Sequence, residues 1–519
     1  MLLAAGLLWA RPGAAHPMYE VWNSTPYDLE TRAPLGPPPA GGNDLFYRWV
    51  PLCEDGSGDH EWSETGGASG LAPTCADSEY IRCIDGTRPL YYLDAARDPG
   101  SATAYADTDD WVFWFQGGGS CSDTPGGSAA DNCWSTYDTA SERDEMSSMG
   151  KHRAMDVEGI LDPDEPTNRF REFNRVQIRK CSYDRFMGRA ELLDQPGIAP
   201  DPIDLYWHGR RQIEAVFADL DRGADFTPPS GTRTLPSLSD AETVLFAGHS
   251  GGSGGVIMNG DWMAEQVQAL NPAVRARLLI DARFKPSLEN EAHFDTASGW
   301  TDIDGSGVID IWDHIQPSPT SPGALPDNSH YHRGAWLPGA TRERQLSQWD
   351  ADVDDSCEAV NGAWATRCLE EFHVMANYVE TPFFLRQALV DQSHVDSYVA
   401  HADMQSFGYT EPEFRERVVF QLASFVQGPP PSPVAPGPFR SWPLGIFAPD
   451  VAKHAGNTNE AQFFQLGLCE PGSTPTSVPW TYHDALVEWL MHDTEIVAIE
   501  DPSSPMGAYY RPSALGGPC

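Results

Sequence analysis

The stretch Thr243-Val-Leu-Phe-Ala-Gly-His-Ser-Gly-Gly-Ser-Gly-Gly255 constrains the fold more than any other. It opens on an apolar run of strand length, and the pattern from about Val256 to Leu270 predicts an amphipathic helix behind it. A serine between glycines at a strand-to-helix turn has the spacing of a nucleophile elbow, where larger neighbours would clash. A helix beginning beside that serine points free N–H groups and the positive end of its dipole at any anion forming there. The competing reading is a glycine-rich phosphate cradle, but the Gly-Lys-Ser/Thr of a P-loop is absent.

Strand and helix patterns alternate around this stretch. Asp110–Gln116, Arg175–Lys180, Ala276–Asp281, Thr381–Gln387 and Pro443–Ala448 are short apolar runs that predict strands. Tyr206–Leu220, residues 411–426 and Thr481–Met491 carry helical periodicity. Such alternation predicts an α/β fold, a mostly parallel sheet flanked by helices, and the elbow spacing within it is that of an α/β-hydrolase. Residues 1–15 read as a signal peptide, 16–80 as an irregular lead-in and 81–519 as the catalytic domain. Within that domain, residues 285–370 are polar and rich in Pro, Gly, His and Trp, and read as an insertion.

Lys plus Arg number 34 against 75 Asp plus Glu, a net charge of −41 that opposes nucleic acid and anionic membrane surfaces as partners. The ten cysteines form no Cys-x-x-Cys pair, which favours disulfides over zinc. With the apolar N-terminus, and no later run long enough to span a bilayer, they predict a secreted or periplasmic protein.

A serine nucleophile needs a base, an acid that orients the base, and an oxyanion hole. In α/β-hydrolases these follow in the order Ser, acid, His at strand ends. After Ser250 the candidate acids are Asp391, with Asp396 further on, and Asp281, which ends the strand after the elbow. His454 lies in a strand-end loop, whereas His483 and His492 fall on a late helix and His401 is remote from any strand end. His249 adjoins the serine but points away from its Oγ and reads as a packing residue. Gly251 supplies one oxyanion amide, and Gly117-Gly118-Gly119 is placed to supply others.

A second signal lies in the insertion. On a twelve-residue calcium loop, Asp302, Asp304 and Ser306 take positions 1, 3 and 5, and Gly307 takes the sharp turn. Val308 offers its carbonyl, Asp310 sits at position 9, and Asp313 closes the loop where an EF-hand has Glu. The expectation is a structural calcium, with no cofactor needed for catalysis.

In sequence the chain resembles the pectin acetylesterase family, which includes the Notum-type carboxylesterases. Cys83-Ile-Asp-Gly with Tyr91-Tyr92-Leu93, Trp111 to Cys121, Cys133-Trp134, Val176 to Asp184, His208-Gly-Arg-Arg, the elbow, Leu279 to Ala282, Pro382 to Asp391 and Phe447 to His454 are similar to its segments in order. The resemblance implies Ser250 as nucleophile, Asp391 as acid, His454 as base, and oxyanion donors at Gly118, Gly119 and Gly251. It also implies disulfides Cys83–Cys181 and Cys121–Cys133. The chain departs from the family at Ser250-Gly-Gly-Ser, where Ser-Ala-Gly-Gly is common, and at Gly119, where a Trp is common. The implied activity is hydrolysis of acetyl or other acyl esters, with an acylated polysaccharide as substrate and a fatty-acyl ester as its rival. The charge of −41 opposes an acidic polymer such as pectin. A calcium-dependent binding protein on a silent hydrolase scaffold is the alternative class.

Overall fold

A computed structural model describes residues 16–17, 44–50, 81–101, 104–121, 129–139, 145–148, 154–195, 203–226, 228, 231–284, 345–361, 368–400, parts of 411–422, 444–469, 479–500 and 511–512. The expected signal peptide at 1–15 and the calcium loop at 302–313 lie outside the described residues, as do Cys53, Cys75 and Cys519.

Ten strands form the central sheet: β1 (Asp44–Trp49), β2 (Leu90–Asp94), β3 (Asp110–Phe115), β4 (Ala154–Asp156), β5 (Asn174–Ile178), β6 (Thr243–His249), β7 (Arg275–Asp281), β8 (Phe383–Arg386), β9 (Gly445–Ala448) and β10 (Ile496–Ile499). Their order is β10-β9-β8-β7-β6-β3-β5-β2-β1-β4. From β10 to β5 every pairing is parallel, and β2, β1 and β4 continue the sheet by antiparallel pairing. This is the mostly parallel sheet that the alternating pattern predicted.

Side chains on a strand alternate between the two faces, and both faces are covered here. Trp111, Phe113 and Phe115 of β3 join Val244 and Phe246 of β6 in one core. Val112, Trp114, Leu245 and Ala247 join the core on the other face. The first face is covered by helices α1 (Gly209–Asp221) and α2 (Gly251–Leu270), through Ile213, Val216, Val256 and Val267. The second is covered by α4 (Tyr482–His492), through Ala485, Leu486 and Trp489. A further helix, α3 (Gln392–Ala400), follows β8.

Three boundaries differ from those the pattern predicted. β1 falls inside the expected irregular lead-in, where it pairs with β2 through Phe46 and Leu93. Its mixed Asp-Leu-Phe-Tyr-Arg-Trp sequence hides the strand among Pro- and Gly-rich neighbours. Helix α2 begins at Gly251 rather than near Val256. Helix propensity argues against so many glycines, but the close approach of β3 requires one of them. A Cβ on Gly252 would lie 2.0 Å from the Phe115 carbonyl oxygen. Lastly, residues 345–361, inside the expected insertion, pack into the main core through Trp349, Val353 and Cys357. Trp349 is fully buried and donates from Nε1 to the Cys121 carbonyl at 3.0 Å, and its own carbonyl accepts from the Arg189 and Ala190 amides.

Disulfides join Cys83 to Cys181, Cys121 to Cys133, and Cys357 to Cys368. The first two flank the glycine loop: one anchors the chain leaving β5, the other the chain leaving the loop itself.

Candidate active site

The strand register brings the site together. Phe115 lies opposite Gly248, while His249, Asp281, Arg386 and Phe447 form one row across β6, β7, β8 and β9. The segments carrying Gly117–Gly119, Ser250, Asp391 and His454 all leave the sheet just beyond this edge, at the carboxyl ends of parallel strands. Open α/β sheets bind their ligands outside that edge.

Ser250 has φ 50° and ψ −122°, a left-handed conformation for a non-glycine residue. Such a backbone is held at a cost of about 1–3 kcal/mol and persists only where its surroundings enforce it. Here the Ser250 amide donates to the Asp281 carbonyl at 2.9 Å, and α2 starts at the next residue. Ser250 occupies the N-cap position, yet its Oγ makes no capping bond. The hydroxyl is therefore left for other chemistry, and the first amides of α2 keep no side-chain acceptor.

The glycine loop faces this turn. A Cβ on Gly251 would lie 2.2 Å from the Gly118 carbonyl oxygen, so the two backbones meet in a way only glycine permits at that point. Gly118 has φ +138°, and both Gly118 and Gly119 are exposed. The amides of Gly118, Gly119 and Gly251 make no hydrogen bond to another described residue. They are donors available to an oxyanion.

His454 presents Nδ1 to both carboxylate oxygens of Asp391, each at 2.8 Å. Asp391 is fully buried and His454 is partly exposed. Oδ1 of Asp391 also accepts from the His394 amide at 3.2 Å, and Oδ2 from Gln387 Nε2 at 3.3 Å. Burial pushes the Asp391 carboxyl up, but the hydrogen bond from His454 and the charges of His394 and His454 outweigh it. The group titrates below the ordinary carboxylate range and so remains an anion beside the imidazole.

Asp281, the competing acid, is placed differently. Its carboxylate is fully buried and accepts from Arg386 Nη1 at 3.1 Å, the Gly456 amide at 2.9 Å and the Asn457 amide at 2.6 Å. It grips the backbone just after His454 and makes no hydrogen bond to the imidazole. Burial raises its carboxyl, against the pull of Arg386 and the two amides. Arg386 adds bonds to the His454 carbonyl at 2.7 Å and the Lys453 carbonyl at 3.4 Å. The sequence signal for this clamp is a lone Arg inside an apolar strand, which strand reading passed over. His249 stacks on Trp114 with centroids 5.0 Å apart. Burial, then the charges of His454 and Lys180, bring its pKa down to about 3, so it packs as a neutral ring. His483 sits on α4 with its Nε2 accepting from the Arg169 amide at 3.0 Å, an architectural contact. Asp396 accepts from Gln392 Nε2 on α3, and His492 ends α4. His401 lies outside the described residues.

Residues 74–285 match the family model described as pectinacetylesterase. That segment resembles the family's domain. Two relatives are palmitoleoyl-protein carboxylesterases. NOTUM of Homo sapiens is 31% identical over 243 residues, covering 46% of this chain and 41% of that protein. Notum1 of Xenopus laevis is 28% identical over 204 residues, covering 39% and 34%. The chain thus spans less than half the length of the curated relatives it matches. Among solved structures, the Wnt deacylase Notum from Drosophila aligns over 83% of this chain and 95% of its own in one crystal form, with TM-score 0.50 and 18% identity. A second crystal form gives the same TM-score at 16% identity, over 88% and 97%. These structures establish the fold as α/β-hydrolase-like. The pectinacetylesterase match contains the elbow and the glycine loop but ends before Asp391 and His454.

Proposed function

We propose that this protein is a secreted serine carboxylesterase that works through Ser250, His454 and Asp391. The observation that carries the reading is Ser250, held in a left-handed turn with its Oγ outside any cap and the Gly118 backbone packed against the start of its helix. His454 takes the Oγ proton as Ser250 attacks an ester carbonyl, then passes it to the leaving alcohol. Asp391 holds the imidazole with Nδ1 inward and stabilises the imidazolium. The amides of Gly118, Gly119 and Gly251 receive the tetrahedral anion. Water then releases the acid from the acyl-enzyme.

The family domain supports an acetyl ester of a polysaccharide as substrate, and the named relatives support a fatty-acyl ester. Gly119 favours a roomy site: among the described residues, a Cβ there would meet Tyr183, at an ordinary 3.4 Å. Secretion is supported by the disulfides, and no described helix is long and apolar enough to cross a membrane. Residues 302–313 are proposed to hold a structural calcium, on the strength of their ligand spacing.

The test is hydrolysis of p-nitrophenyl acetate and longer p-nitrophenyl esters, beside acetylated pectin and acetyl-xylan. Ser250→Ala is expected to lower kcat by about 10⁴–10⁶-fold. Hydrolysis by the parent that persists unchanged in Ser250→Ala refutes the mechanism.

A further inference from the structure

We propose that Lys180 is a positioning residue of the oxyanion hole, its buried ammonium seating the glycine loop and adding positive potential where the carbonyl oxygen gains charge. The inference rests on the esterase reading above and deepens it.

β5 and β3 run parallel with Ile178 opposite Phe115, so Lys180 and the glycine loop leave the sheet side by side. The Gln116 amide donates to the Ile178 carbonyl at 3.1 Å, and the Lys180 amide to Gln116 Oε1 at 3.4 Å. The Lys180 side chain then turns under the loop and is only 1% exposed. A Cβ on Gly118 would fall 1.5 Å from Lys180 Nζ, so the ammonium occupies the space a side chain at 118 would fill. Nζ therefore lies within roughly 3 Å of the Gly118 Cα, one Cα–Cβ bond further on.

The ammonium is held there from two sides. Glu145 Oε2 lies at 2.5 Å, and the Tyr183 ring centroid at 4.0 Å, with the Tyr183 hydroxyl donating to the same Glu145 oxygen at 3.3 Å. The two charges are not equally screened. The Glu145 side chain is 34% exposed, whereas Lys180 is sealed beneath the loop. A Cβ on Gly118 would also fall 2.7 Å from Glu145 Oε2, so both charges lie beside the loop. The carboxylate is the more exposed and better screened of the two, which leaves the cation the larger share of the local field. This field extends to the elbow strand, since Lys180 is among the charges that disfavour a proton on His249. A structural prop could be an uncharged side chain at less desolvation cost. A cation there assists an anion forming at the Gly118 and Gly119 amides.

Lys180→Met and Glu145→Gln break the same ion pair but change the local charge in opposite directions. Lys180→Met is expected to lower kcat on p-nitrophenyl acetate by about 10–100-fold, less than the loss of about 10²–10³-fold for a direct oxyanion donor because Lys180 acts through the loop, with KM within about twofold of the parent. Glu145→Gln keeps an amide oxygen to hold the ammonium and removes the opposing charge, so it is expected to lose less than about tenfold in kcat. Equal losses in both variants would make the pair a structural clamp and overturn the proposal, as would a Lys180→Met kcat within about twofold of the parent. Should Lys180→Met fail to fold, as judged by melting, Glu145→Gln decides alone. A loss of about tenfold or more in that folded variant overturns the role. The parent's hydrolysis and its loss in Ser250→Ala check the esterase reading separately.

Discussion

Replacing Asp391 by Asn separates the two candidate acids. Four donor contacts converge on this carboxylate: His454 Nδ1 faces both oxygens, the His394 amide faces Oδ1, and Gln387 Nε2 faces Oδ2. A carboxylate accepts all of them, but an Asn has one acceptor and one donating NH₂ group. In either orientation that NH₂ meets a donor, the His394 amide or Gln387 Nε2. It also favours the wrong tautomer of His454, with Nδ1 unprotonated and Nε2 unable to take the serine proton. The equivalent change in a serine protease triad lowers kcat by about 10⁴-fold, equivalent to about 5.4 kcal/mol of barrier. Asp391→Asn is therefore expected to lose about 10³–10⁴-fold in kcat on p-nitrophenyl acetate, with a cooperative melt and little change in KM. Asp281→Asn should behave in the opposite order. It weakens a buried ion pair and two backbone contacts, so stability falls first, by about 3–5 kcal/mol if the pair is broken. The assays are steady-state kinetics and thermal melting on both variants. Asp391→Asn with more than about a tenth of parental kcat, beside an Asp281→Asn variant that melts normally and is inactive, would refute the assignment.

Gly118→Ala should fold but lose at least about tenfold in kcat, because a methyl at φ +138° must displace Lys180 Nζ; parental kcat would contradict the loop geometry. Asp85 is fully buried and burial raises its pKa to about 6, against its bonds to Thr87, Ser147 and Tyr137. A raised folded pKa means stability that is complete below the unfolded value near 3.8 and is lost as pH rises through about 6. Denaturation from pH 4 to 7 should therefore show a fall on the order of 3 kcal/mol that Asp85→Asn removes, and an identical slope in the variant would contradict it. For the calcium loop, Asp302→Ala with Asp304→Ala should abolish a calcium-dependent rise in melting temperature; a parent that shows no such rise disposes of that site.

The sheet was legible because its central strands are continuous apolar runs. Trp111 to Phe115 and Val244 to Ala247 are buried on both faces, so neither strand depends on a polar alternation that loops could imitate. The strands at and next to the sheet's edges were less visible. β1 has Asp44, Arg48 and polar surroundings, and β10 is only Ile496–Ile499, short enough to pass for the tail of a helix. Chain order and strand-end position put the elbow serine, the glycine loop and His454 at strand ends, and the structure has those segments leaving the same edge of the sheet. Asp281 and Asp391 both end strands, and only partners far apart in sequence distinguish them: His454 Nδ1 at Asp391, Arg386 and the Gly456 and Asn457 amides at Asp281. The roles of Arg386 and Lys180 depend on neighbours 68 and 35 residues away, which no local pattern contains.

The placement of Asp281 follows from a distance the fold must cover. Ser250 leaves β6 and His454 leaves β9, three strand steps apart at about 4.8 Å each, so roughly 14 Å must be closed above the sheet edge. The histidine loop closes it by folding back over β8 and β7. There the Asp281 carboxylate takes the Gly456 and Asn457 amides, and Asn457 Nδ2 reaches the Gly248 carbonyl of the elbow strand at 3.2 Å. The Asp281 carbonyl meanwhile takes the Ser250 amide. One residue thus fixes the nucleophile turn through its backbone and the base loop through its side chain, and Arg386 balances the buried charge. Both oxygens of this acid are so engaged, and neither is bonded to the His454 imidazole to orient it. That task falls to the next strand end, where Asp391 opens α3 and needs only the His394 and Gln387 donors to stay in place.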